Sequence, residues 1–65
     1  MYMLLKSPSG GQQKAAFDVL DEVFGTSEFT EAQAISSISV GISIENGQAQ
    51  SLFKGLVNLN YVGEV

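Results

Sequence analysis

Few side chains in this sequence are suited to acid–base or nucleophilic chemistry. Asp18, Asp21 and Glu22 fall within one short segment, and Asp18 and Glu22 share a helical face because they lie four positions apart. No histidine, cysteine or arginine accompanies them, which removes the commonest general bases, the thiol nucleophile and the bidentate anion clamp. A carboxylate-rich outer helix face is usually just solvated. We therefore expect no enzyme, no catalytic residue, no metal site and no cofactor.

The segment Gly10–Lys14 has the glycines and the lysine of a phosphate-binding loop. It lacks the Gly-Lys-Ser/Thr run that would supply both the phosphate-binding lysine and the hydroxyl for magnesium. We interpret it as a flexible entry to a helix.

Length and composition predict one small folded domain spanning residues 1–65. Hydrophobic residues make up 45% and charged residues 15% of the 65-residue chain, which is too apolar for disorder. Without cysteine, the core must come from apolar side chains alone or be completed by a partner subunit. We expect a homodimer, because a partner that binds only the folded state stabilises it.

The sequence gives no reason to expect a membrane protein. The apolar run at Met1–Leu5 is shorter than the core of a signal peptide or a membrane span. Absence of cysteine fits a reducing compartment. We predict a cytoplasmic protein that does not associate with membranes.

The formal net charge of −4 is unevenly distributed. Lys6 and Lys14 lie near the start, and Lys54 is the only other basic residue. Five carboxylates crowd into residues 15–31. Nucleic-acid-binding proteins normally carry a basic stripe, and none is visible in this sequence.

Helical periodicity predicts a first helix over residues 10–24 and a second over residues 30–39. In the first, apolar residues recur at helical spacing, and Gly25 stands where a C-cap is expected. In the second, Thr30 is suited to be the N-cap and Gln33 occupies the reciprocal position of a capping box. Phe29, just before the cap, is expected to pack back onto the first turn.

Residues 38–47 allow two interpretations. Isoleucine and valine alternate with serine and glycine up to Asn46-Gly47, which by itself indicates a strand entering a hairpin turn. The alternative is a turn between two helices, with Ser43 or Asn46 as the next N-cap. The residues after Gly47 favour the turn, because apolar side chains from Ala49 to Leu59 again lie on one helical face.

We therefore predict a mostly α domain with a small β component. Its third helix covers residues 47–59, Asn60 ends it in a left-handed conformation, and residues 2–6 and 61–65 form short strands whose apolar edges would join two copies. The alternative is an α+β fold in which helices precede a hairpin at Asn46-Gly47. The predicted core comprises Phe17, Leu20, Phe24, Ile35, Leu52, Phe53 and Leu56.

This order of elements, closed by Leu52-x-x-x-Leu56-Val57-x-x-x-Tyr61-Val62, resembles the winged-helix family over about residues 13–63. The resemblance implies a three-helix winged-helix-like fold with a truncated or minimal wing. It further implies that the third helix is a recognition helix for the major groove of double-stranded DNA. Transferred to this chain, the DNA-contacting residues would be Gln48, Gln50, Ser51, Lys54 and Asn58.

On this basis we expect a small DNA-binding transcription regulator. Glutamine and asparagine are suited to read adenine, and Lys54 to contact phosphate or guanine. The alternative function is a protein–protein interaction module, or adaptor, that uses a winged-helix fold without binding DNA. An acidic chain without a full wing fits that use.

Overall fold

The computed structural model describes residues 1–65 and shows a mostly α fold with a small antiparallel sheet, as predicted. The order of elements is β1 (Tyr2–Leu4), α1 (Gly11–Phe24), α2 (Glu31–Gly41), α3 (Asn46–Asn58) and β2 (Val62–Glu64). None of the three helices combines the length and the apolarity that a membrane crossing requires.

Helix α1 confirms the predicted periodicity over most of its length. Ala16, Phe17 and Leu20 are buried along one face. Val23, which continues the same apolar pattern, is instead 57% exposed. Gly25 ends the helix with φ +58°, and its N–H donates to the carbonyl oxygen of Asp21. Glycine suits this position because it adopts positive φ without steric cost.

Helix α2 begins with the predicted capping box. The N–H of Gln33 donates to the Thr30 hydroxyl at 3.1 Å, and the N–H of Thr30 donates to the Gln33 side-chain oxygen at 2.9 Å. Two of the otherwise unpaired N–H groups at the start of the helix are thereby satisfied.

The hairpin alternative at Asn46-Gly47 is wrong, because α3 begins at Asn46. Helix α2 extends to Gly41, so only residues 42–45 connect the two helices. Ser43 adopts a left-handed φ of +56°, and the Ser39 hydroxyl donates to the Ile44 carbonyl at 2.6 Å, which closes the turn. The alternating isoleucines therefore fit a helix followed by a turn. Ile38 is buried in the helix, and Ile44 packs at the margin of the core.

Helix α3 is capped by Glu45, so the predicted N-caps Ser43 and Asn46 are wrong. The Gln48 side-chain oxygen accepts from the N–H of Glu45 at 3.2 Å, which is the reciprocal half of a capping box. A carboxylate at this end also interacts favourably with the helix dipole. At the other end, Asn60 has φ +64°, as predicted.

The sheet places the first strand between two later segments of the chain. β1 pairs antiparallel with β2, with Met3 opposite Gly63. On the other side of β1, the N–H of Tyr2 donates to the Phe29 carbonyl at 2.7 Å, and the N–H of Phe29 donates back at 2.9 Å. Of the free edge expected at residues 2–6, Tyr2 is therefore paired within the chain, and β2 has the longer unpaired edge.

Ten buried hydrophobic residues form one core cluster. Of the predicted core, Phe24, Ile35 and Leu52 are only half-buried at its margin. Each helix contributes one fully buried alanine, a small side chain that lets helix backbones approach closely. The buried residues are Ala16, Phe17, Leu20, Phe29, Ala34, Ile38, Ala49, Phe53, Leu56 and Val62.

Aromatic rings connect the sheet to the helices. Phe29 is fully buried, stacks on Phe24 with ring centroids 4.8 Å apart and meets Phe53 edge-on at 6.4 Å. Tyr2 contacts Phe53 edge-on at 5.0 Å. Phe29 thus belongs to the core itself and not only to the first turn of α2.

Candidate nucleic-acid interface

The five DNA-contacting residues implied by the family resemblance all lie on α3 and are all exposed. The opposite side of this helix buries Ala49, Phe53 and Leu56. Because the helical repeat separates these two sets, α3 is anchored by one face and presents polar side chains on the other. The exposed set is Gln48, Gln50, Ser51, Lys54 and Asn58.

Two of these side chains already make hydrogen bonds within α3 or its cap. The side-chain oxygen of Gln48 completes the capping box with Glu45, which leaves its amide nitrogen as a donor. The Ser51 hydroxyl donates to the Gly47 carbonyl at 3.2 Å. Gln48 therefore also holds the start of the helix, a role that its position in the sequence did not predict.

The other three, Gln50, Lys54 and Asn58, make no side-chain hydrogen bond or ion pair inside the chain, whose one salt bridge joins Lys14 to Asp18. Their polar groups remain available to a partner. An exposed helix face with unpartnered amides and one cation suits hydrogen bonding to base edges better than broad attraction to phosphates.

A hollow of about 200 Å³ beside Lys54 is lined in part by a carboxylate. Glu31, at the start of α2, lines it together with Lys54 and Asn58. Tyr2, Phe53 and Val57 form the apolar part. The carboxylate offsets the field of the one lysine on this helix face, so the potential around α3 is mixed in sign.

A second hollow, of about 290 Å³, extends the polar surface of α3 toward α1. Gln12 and Gln13 of α1 line it with Gln48 and Ser51. Gln13 also lies close to Gly55, where a side chain would come within 3.2 Å of its amide nitrogen. The local sequence around Gln12 and Gln13 predicted only a helix entry, because nothing in it shows that they face α3.

The remaining lysines occupy different surroundings from Lys54. Lys14 forms an exposed ion pair with Asp18 at 3.1 Å on α1. Lys6 lies over the ring of Tyr61, with its amine 5.5 Å from the centroid. Lys14 and Lys6 thus each have a partner within the chain, whereas Lys54 makes no ion pair.

The acidic residues of α1 do not converge on a site. Asp18 is engaged by Lys14, and Asp21 and Glu22 are exposed. No group of three or more histidine, cysteine, aspartate or glutamate side chains is arranged to hold a metal ion. Gly10 is the N-cap residue of α1 and, because it has no side chain, makes no capping side-chain hydrogen bond.

The outer face of the sheet is apolar. Side chains alternate across a strand, so that Tyr2, Leu4 and Val62 face the helices while Met3 faces outward. The hydrogen bond from the Val65 N–H to the Met1 carbonyl continues the ladder beyond the strands. We call the exposed apolar side chains on this side the outer sheet face; they are Met1, Met3, Leu5 and Val65, between 37% and 61% exposed.

Comparison of the chain with protein-family models, with curated protein sequences and with solved structures yields no match.

Proposed function

We propose that the protein is a small, non-enzymatic, winged-helix-like DNA-binding domain of the transcription-regulator type, with α3 as its recognition helix. The observation that carries this proposal is the relation of α2 to α3. The two helices are joined by residues 42–45, directly after Gly41. A short connection of three or four residues, often with a glycine, is typical of helix-turn-helix units, whose second helix enters the major groove.

In this proposal the unpartnered side chains of α3 read the DNA. Gln50 and Asn58 donate and accept at adenine edges, and Lys54 contacts a phosphate or guanine. Ser51 and the free amide nitrogen of Gln48 add shorter-range contacts. The capping box between Glu45 and Gln48 supports the interface by fixing the first turn of the helix.

Because the exposed face of α3 carries so little positive charge, binding must depend on the DNA sequence. Lys54 is the one cation on the exposed face of α3, and Glu31 lies in the hollow beside it. Electrostatic attraction supplies most non-specific affinity, so non-specific binding should be poor. A homodimer would double the number of DNA contacts, and we include such a dimer in the proposal. We place it in the cytoplasm, because a chain without cysteine fits a reducing compartment.

The test is a salt-titrated binding assay with random duplex DNA, followed by selection of preferred sequences. Three lysines per chain limit the log–log salt slope of a monomer to about −3, at about −0.9 per neutralised phosphate. Lys54→Ala should weaken binding to all sequences, whereas the control Lys14→Ala, on the acidic helix α1, should have little effect. Gln50→Ala should relax preference at one base pair. Failure to bind duplex DNA even at very low salt would refute the proposal.

A protein–protein interaction module is the second candidate, and the outer sheet face is the observation that favours it. Contiguous exposed apolar side chains on a small domain often mark an interaction site. If duplex DNA does not bind, substitution of Met3 by lysine should still abolish association with a protein partner or a second copy. Retention of every association by that variant would remove this candidate as well.

A further inference from the structure

The groove between α1 and α2 is the largest hollow of the molecule, at about 520 Å³. Val19 and Val23 of α1 form one wall, and Val40 of α2 forms the other. Gly41 lies at one end, against Val19. Toward the other end, a shallower hollow shares Val23, Ser36 and Ser37 with the first, so the groove continues along α2 to Ala32.

Two apolar side chains along this groove are strongly exposed. Val40 is 79% exposed, more than any other large hydrophobic residue, and Val23 is 57% exposed. Valine has no advantage at a solvated helix position, because its branched side chain lowers helix propensity. Both valines border the same groove, which is therefore an apolar surface that no part of this chain covers.

The charges around the groove specify the kind of partner. Glu22 is the one charged residue that lines it. Glu31 is the only charged residue of α2, so no cation of this helix borders the groove. Lys14, the only cation of α1, is already paired with Asp18. The rim of the groove therefore carries one charge, the Glu22 carboxylate, and no cation.

A second copy of the chain does not match this surface. A two-fold dimer places the same patch against itself, which would bring the two acidic rims together, and each chain already has a net charge of −4. A positively charged partner removes that repulsion and satisfies the Glu22 carboxylate. The length of α2, at about 1.5 Å per residue, accommodates about three turns of a partner helix.

We propose that the α1–α2 groove binds a basic amphipathic helix of a partner protein. Apolar side chains of that helix fill the space between Val23 and Val40, and its lysines or arginines face Glu22. This is the helix-in-groove mode of recognition, in which residues at helical spacing anchor one apolar face. No residue of α3 lines the groove, and the hollows beside α3 share no residue with it. The site is therefore separate from the proposed DNA-contacting surface.

The probe is a synthetic amphipathic helical peptide with leucines at i, i+3, i+4 and i+7 and lysines on both flanks. Its matched control replaces every lysine with glutamate. In titrations followed by amide chemical shifts, the lysine peptide should perturb Val23, Ser36 and Val40. The glutamate peptide should bind at least about tenfold more weakly, because its charges face the acidic rim.

Variants separate the apolar and the charged contributions. Val40→Asp should weaken binding of the lysine peptide more than tenfold, whereas Leu59→Asp, at an exposed leucine outside the groove, should leave it unchanged. Glu22→Gln should weaken it by about two- to fivefold, as for a partly solvated ion pair. Both aspartate variants should keep the helical circular dichroism of the parent protein, since neither side chain is buried.

Three results would overturn the proposal. The lysine peptide could leave the groove residues unperturbed at millimolar concentration, or perturb α3 or the outer sheet face instead. The glutamate peptide could bind equally well, which would show that the acidic rim selects nothing. Shifts of the groove residues that depend on protein concentration without peptide would assign the groove to a second copy. None of these results depends on whether α3 binds DNA.

Discussion

Gly41 of α2 lies so close to Val19 of α1 that a side-chain methyl at position 41 would be 2.6 Å from the Val19 Cγ1 atom. The close approach explains why a helix ends in glycine here, although the conformation itself does not demand one. Val19 cannot easily move aside, because a β-branched side chain on a helix has one strongly preferred rotamer.

Gly41→Ala should therefore destabilise the protein, by about 1–2 kcal/mol. Overpacking costs about 1–3 kcal/mol, and the better helix propensity of alanine offsets up to about 1 kcal/mol of it. Urea denaturation measures the difference. Gly47→Ala is the control, since open space surrounds that position, and it should be neutral or slightly stabilising. In a Val19→Ala background the cost of Gly41→Ala should disappear; a cost that persisted there would mean that Val19 is not its source.

Leu56 and Leu52 provide a second comparison on one helix. Leu56 is fully buried, so Leu56→Ala should lower the free energy of unfolding by about 2–5 kcal/mol. Leu52 is half-buried at the core margin, and Leu52→Ala should cost clearly less. Because a 65-residue domain is marginally stable, thermal melts should show Leu56→Ala largely unfolded. Equal losses for the two variants would contradict the observed burial.

Gln48 should contribute to stability as well as to any DNA contact. Gln48→Ala removes the acceptor for the N–H of Glu45 and should cost about 0.5–1 kcal/mol, within the range of lost helix caps. Gln50→Ala, in the same turn region but without an internal hydrogen bond, should leave stability unchanged. Chemical denaturation of both variants checks this, and it shows why Gln50 is the cleaner choice for testing DNA recognition. An unchanged melt for Gln48→Ala would mean that the cap contributes nothing.

Self-association should depend on the outer sheet face. Met3→Lys places a charge at its centre, opposite Gly63, and should shift a dimer toward monomer in sedimentation at two concentrations. Val40→Lys introduces the same charge on another exposed apolar residue and should leave the dimer intact. A parent protein that stays monomeric at high micromolar concentration would exclude the homodimer.

Local patterns were sufficient for the helices but not for their junctions. The stripe through Phe17 and Leu20 predicted α1, and Thr30 with Gln33 predicted the start of α2, because the interactions concerned lie within one or two turns. The segment from Ile38 to Ile44 fitted a strand equally well by its alternation. The helical spacing after Gly47 favoured the turn, and packing accounts for the outcome, since helical geometry buries Ile38 and leaves Val40 exposed.

The candidate site was likewise predictable from the sequence only in part. Exposure of Gln50, Lys54 and Asn58 follows from the periodicity of one helix and was predictable. The role of Gln48 in the cap, the position of Glu31 beside Lys54 and the groove along α2 require knowledge of where other segments lie. No spacing within the sequence encodes those relationships.

The central position of β1 has a consequence for the order of folding. This strand joins Phe29 on one side and the segment around Gly63 on the other, so its contacts span nearly the whole chain. Closing so long a loop is entropically costly, and contacts of this kind slow folding compared with local helix formation. The three helices should therefore associate first, and β1 should dock late onto Phe29 and Phe53. Until it does, the aromatic side of the core stays exposed to water. The first few residues of the chain are therefore the last segment to cover the interior.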